Sequence, residues 1–131
     1  MSVEGNAVLI LGPSGAGKSS LALNLIALGA SLVSDDQTRL TRDAGHLIAT
    51  APDTIAGLIE ARGVGLLTVP TVPSARIRLI VDLSQTETKR LPEPHTHTLH
   101  GITFPCLWSA PSPHFAAAIL LSLRAMLGAE A

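Results

Sequence analysis

Eight consecutive residues, Gly12, Pro13, Ser14, Gly15, Ala16, Gly17, Lys18 and Ser19, match the pattern of glycine, four residues, glycine, lysine and serine. Small residues at this spacing let successive backbone N–H groups turn inward around phosphate oxygens, and a helix starting near Lys18 adds the positive end of its dipole. Lys18 is suited to reach the β- and γ-phosphates, and the Ser19 hydroxyl to ligate Mg²⁺. Average residue frequencies put a chance match in a chain this long on the order of one in a few hundred. Lys18 is also one of only two lysines in the chain, so a role in surface solubility explains it poorly. The loop predicts ATP and Mg²⁺ as cofactors.

The next candidates are carboxylates. Asp35 and Asp36 follow the short run Ser31-Leu32-Val33-Ser34, an expected second strand. The carboxyl ends of strands are where ligands sit in open α/β sheets. One of the pair can bind Mg²⁺, directly or through water, while the other accepts a proton from an attacking hydroxyl; the plainer alternative is a solvated turn. Glu60 and Arg62, beside Gly63 and Gly65, can share a metal and hold a phosphate, or can form a surface ion pair. His95, His97 and His100 supply enough nitrogen for a metal, yet nothing in their spacing fixes its geometry, so they read as surface histidines. Cys106 beside Pro105 reads as a packed small side chain, since no neighbouring motif activates it.

These residues need elements to place them. Residues 7–11 are a continuous apolar run that suits a buried strand, and residues 19–28 carry apolar side chains at helical spacing with Gly29 as the stop. Residues 31–34 should return as a second strand beside the first. Residues 38–40 and 46–49 flank Asp43-Ala44-Gly45, a hairpin turn. A short helical turn or strand is expected over 55–60 and a strand over 66–69. In residues 76–82, Ile77, Leu79 and Val81 alternate with charged side chains, which predicts an outer strand with one wet face. A mobile loop is expected over 84–97, a last strand over 98–104 and a helix over 114–127 that is apolar on almost every side. Such a helix in a domain this small suggests burial against another subunit as well.

The whole, residues 1–131, reads as one α/β domain. Hydrophobic residues make up 47% and charged residues 15%, against disorder outside the ends. Nine basic against ten acidic residues leave a net charge of −1, with no basic run to neutralise a nucleic-acid backbone. No stretch reads as membrane-spanning, the start lacks a secretory pattern, and one cysteine cannot form an internal disulfide, so the expected compartment is the cytoplasm.

Taken in order, GPSGAGKSSLAL, ASLVSDD, IEARGVGLLTVP and the basic KRLP resemble the catalytic C-terminal domain of HPr kinase/phosphorylase, and look closest to short forms without the N-terminal domain. The resemblance implies a phosphoenolpyruvate-carboxykinase-like α/β core with a mixed sheet and a C-terminal helix. It also implies an ATP- and Mg²⁺-dependent kinase that phosphorylates a serine on the carrier protein HPr of the phosphotransferase system, many members also removing that phosphate by phosphorolysis. By position, Lys18 contacts phosphates, Ser19 and Glu60 are metal-side residues, Asp36 exchanges the acceptor's proton and Arg90 is the catalytic arginine. Full-length members form hexamers, which implies a homo-oligomer. The chain departs from the family pattern in having no histidine before Gly12, in Ser20 where many members have Glu, and in Pro111-Ser112-Pro113-His114 where the family has a PGRN-like segment. Two other readings are compatible with the loop: a small-metabolite kinase, and a non-catalytic ATP/ADP sensor regulating a partner.

Overall fold

The computed structural model describes residues 1–34, 38–51 and 57–129. In chain order these form β1 (Ser2–Val3), β2 (Asn6–Leu11), α1 (Lys18–Ala27), β3 (Arg39–Asp43), β4 (His46–Thr50), β5 (Leu58–Ala61), β6 (Gly65–Thr68), β7 (Ser74–Thr86), β8 (His95–Leu99), β9 (Ile102–Ser109) and α2 (Phe115–Ala129). The architecture is α/β: a mixed sheet, a small separate β5–β6 hairpin and a C-terminal helix.

The sheet is organised on β7. One edge of β7 runs parallel to β2, from Arg76 beside Asn6 to Asp82 beside Leu11. Its other edge is shared, with Ser74 to Arg76 taking β4 antiparallel and Ile80 to Asp82 taking β9 parallel. The expectation of an outer strand here is therefore wrong, and so is its single buried face. The register slips between Ala7 and Val8, whose partners are Ile77 and Leu79, so Arg78 is the extra residue of a β-bulge. The bulge changes the parity of the strand. Leu79 and Val81 join Val8, Leu21, Leu25, Ile119 and Leu123 in a core beneath α1 and α2. Ile77 and Ile80 join Ala7, Leu47, Phe104 and Cys106 in a second core on the opposite face. Arg78 is itself only 8% exposed and donates from Nη1 to Asn6 Oδ1 at 3.3 Å, while burial, and secondarily Arg76, lower its pKa.

Three hairpins close through two-residue turns, Glu4-Gly5, Ala44-Gly45 and His100-Gly101, whose residues all have positive φ as type I′ turns require. The second was expected. The third divides the predicted strand over 98–104 into the end of β8 and the start of β9, and β8 itself occupies part of the expected loop over 84–97. β9 runs straight through Pro105, which immediately precedes the first residue registered with β7.

Helix α1 ends as Gly29 implies. The N–H of Ala30 reaches the carbonyl of Leu25 and that of Gly29 the carbonyl of Ile26, with Gly29 at φ 107, a Schellman closure. The chain then turns to residues 31–32, which do not lie beside β2. They make single bridges, Ser31 to Ser2 and Leu32 to Thr71, because β1 and β7 already occupy both edges of β2. Helix α2 buries Ala116, Ile119, Leu120 and Leu123 and leaves Leu121 exposed. No helix among the described residues is long and apolar enough to cross a membrane.

Candidate active site

The glycine loop lies where strand β2 gives way to α1. Gly17 occupies the N-cap position at φ 97 with no side chain capping the helix, so the first-turn N–H groups are available to an anion. Gly15 also has positive φ. At Gly12 the chain passes tightly against the end of β7: a Cβ there would stand 3.2 Å from the Cβ atoms of both Ala16 and Leu83. Any side chain at this position would crowd the bend.

Lys18 lines a cavity of about 260 Å³ together with Leu11, Gly12, Ser34 and Thr38, over a floor of β2 residues that includes Leu9. Ser34 and Thr38 are the described residues on either side of the predicted acid/base Asp36 and metal-side Asp35, which lie outside the described residues. The structure brings together the loop and both flanks of the acidic segment.

It does not bring the other predicted residues to that cavity. Glu60 is exposed on β5, opposite Leu66 of β6, and its hairpin packs on α1 through β5. Arg62 is exposed in the tip, and no ion pair joins it to Glu60 among the described residues. Arg90 is exposed and lines a second cavity, of about 320 Å³, bounded also by Trp108, Phe115 and His114. Ser112, in the segment at the PGRN position, lies just before α2: its Oγ lies 2.7 Å from His114 Nδ1 and accepts from the His114 N–H at 3.3 Å.

Two groups differ in importance from their sequence reading. His95 is no free surface histidine. Its Nε2 lies 2.7 Å from Glu87 Oε1, and its ring stacks on Trp108 with centroids 3.6 Å apart and planes within 6°. The hydrogen bond from His95 foremost, helped by the N–H groups of Lys89 and Thr88, holds the Glu87 carboxyl below the usual carboxylate range. Only the alternation His95, His97, Leu99, with Thr96 and Thr98 exposed between them, hinted at a strand face here. Asp82, the last β7 residue registered with β2, was also passed over; its Oδ1 accepts from the Ser84 N–H and hydroxyl at 2.9 and 2.6 Å. Cys106 is 4% exposed, and burial first, then the Asp82 charge, pushes its thiol up, as a packed side chain requires. No group of three or more metal-ligating side chains lies together among the described residues.

Known proteins align with this chain. Residues 1–99 match the model of the HPr Serine kinase C-terminal domain. An HPr kinase/phosphorylase of Limosilactobacillus reuteri is 42% identical over 89 residues, covering 62% of this chain and 28% of that protein. One from Bordetella pertussis is 41% identical over 104 residues, 70% of this chain and 34% of that protein. The chain thus spans about a third of the length of these relatives. The solved structure of the Hpr(Ser) kinase/phosphatase from Coxiella burnetii superimposes with a TM-score of 0.76 at 26% identity, over 98% of this chain and 87% of that one. With the family model matched along most of its length and the same fold in a solved relative, this chain belongs to the HPr serine kinase C-terminal domain family.

Proposed function

We propose that this protein is a Mg-ATP-dependent kinase that phosphorylates a serine of an HPr-like phosphotransferase-system carrier, the γ-phosphoryl group passing to the serine Oγ and ADP leaving. The observation that carries the reading is the uncapped glycine loop at the end of β2, with Lys18 lining the same cavity as the residues that flank Asp35 and Asp36. The loop suits a polyphosphate, because a Cβ would obstruct its tightest bend and its helix N–H groups lack a side-chain partner.

When bound, Mg-ATP supplies the transferable phosphoryl group. Backbone N–H groups of the loop toward the start of α1, from Gly17 to Ser19, would hold the phosphates, and Lys18 would offset their charge. Ser19 and Asp35 are the metal-side residues nearest the loop in sequence, and the family resemblance adds Glu60 from the hairpin on α1. Asp36 takes the proton from the acceptor serine Oγ onto its carboxylate, and Arg90, assigned by the same family resemblance, offsets the charge that develops during transfer. The exposed Leu58, Leu66 and Leu67 on β5 and β6, with Val64 in the turn between them, support the proposed homo-oligomer, since an apolar patch of this kind is normally covered.

The test is to incubate the full chain with Mg-ATP and a purified HPr-type carrier and search the carrier for phosphoserine by mass spectrometry. Transfer by wild type, reduced by about 10²- to 10³-fold in Lys18→Ala, is the expected result. An unmodified carrier, with nucleotide demonstrably bound, refutes the reading.

A further inference from the structure

Composition makes the connection between β7 and β8 a free polar loop, but its root is tied at several points. The Glu87 N–H donates to the Ser109 carbonyl at 2.8 Å, holding the end of β7 to the end of β9. Glu87 Oε2 accepts from the N–H groups of Thr88 and Lys89 at 3.0 and 3.2 Å, closing the first turn of the loop. Its other oxygen takes His95 Nε2, the first residue of β8, and the stack on Trp108 fixes the plane of that imidazole. The Glu87 and His95 side chains are only 11% and 21% exposed. Arg90 follows directly on the last amide that Glu87 holds, and Pro92 and Pro94 restrict φ in the remainder of the loop.

We propose that Glu87, His95 and Trp108 form an anchor that positions Arg90 for phosphoryl transfer, with Glu87 and His95 acting through Arg90 and not on substrate. The inference rests on the kinase reading above. An arginine whose backbone is ordered before substrate arrives loses less freedom when it engages charge in the transition state, so loosening its root lowers turnover more than nucleotide affinity. One carboxylate with both oxygens committed, to two loop amides and an imidazole, supplies that order.

The test is a double-mutant cycle on the full chain, Glu87→Ala with Arg90→Ala, measuring kcat, KM for ATP and transfer to the carrier. Trp108 is the sole tryptophan, so its emission independently reports loss of the stacked imidazole. Glu87→Ala is expected to lower kcat by about 10- to 100-fold, with KM for ATP within about twofold of wild type. It should add little in the Arg90→Ala background, because both changes remove one contribution. His95→Gln, which keeps a donor but not the stack, should lower kcat by less than Glu87→Ala does, and serves as the perturbing variant should Glu87→Ala fail to fold. Additive effects in the cycle, or unchanged kcat when Trp108 emission shows the anchor broken, overturn the proposal. Wild-type transfer that Lys18→Ala abolishes and Glu87→Ala leaves intact overturns this inference alone. Wild type that phosphorylates no carrier overturns the kinase reading and this inference with it.

Discussion

Replacing Gly12 by alanine tests how tightly the phosphate loop is built. The residue has φ 156, and an added Cβ would stand 3.2 Å from the Cβ atoms of Ala16 and Leu83 and 3.8 Å from the Leu83 carbonyl carbon. Both near neighbours are rooted on backbone and cannot swing away like the tip of a long side chain, so the loop and the end of β7 must separate by a few tenths of an ångström. Strain at a sparsely populated backbone conformation costs about 1–3 kcal/mol, and overpacking a well-filled site about as much again. Partial relaxation relieves some of both, leaving roughly 2–4 kcal/mol. Interpolating for a chain of this length, each kcal/mol lowers Tm by about 3–5 °C, so Gly12→Ala should melt roughly 10 °C below wild type. Gly15→Ala is the control: at φ 85 it meets nothing within 4 Å, so only the left-handed conformation is penalised, by about 1–2 kcal/mol. The assay is thermal unfolding followed by circular dichroism on the two variants and wild type. Gly12→Ala melting within about 3 °C of wild type, or above Gly15→Ala, refutes the claim that β7 closes on the loop at this residue.

Ile80→Ala, at a fully buried site on the most extensively paired strand, should cost about 2–5 kcal/mol in urea unfolding, whereas Leu91→Ala, 86% exposed, should change stability by less than about 0.5 kcal/mol. The Cys106 thiol should react with a disulfide reagent at mildly alkaline pH far more slowly in the folded protein than in denaturant, and equal rates would contradict its burial. Glu87 has a folded pKa below its unfolded value, so its contribution to stability is complete above the ordinary carboxylate range and is lost as pH falls through the folded pKa. The urea midpoint of wild type should accordingly exceed that of Glu87→Gln at neutral pH, with the gap closing under acid; a gap independent of pH would contradict the hydrogen-bonded geometry around the Glu87 carboxylate.

The sequence by itself determined the features that are local. The order of an apolar run, a glycine loop and a helix needs only neighbouring residues, and α1 begins at Lys18 and closes at Gly29 because positive φ there is inexpensive only for glycine. The Ala44-Gly45 turn was legible for the same reason. The burial of Cys106 was legible from the lack of any activating motif around it, and family membership from the succession of short segments along the chain.

Tertiary structure decided what depends on partners far away in the chain. Strand β7 reads as half-exposed because its charged and apolar residues alternate. The bulge at Arg78 instead divides its apolar residues between two cores, and its two edges take three other strands. No local pattern reveals a register slip set by a strand some seventy residues earlier, since Asn6 partners Arg76. His95 looked like one of several surface histidines because Glu87 and Trp108, eight residues before it and thirteen after, come to it only when β8 pairs with β9. Propensity acts between neighbours along the chain, whereas strand order and side-chain pairing are settled by which distant surfaces exclude water together.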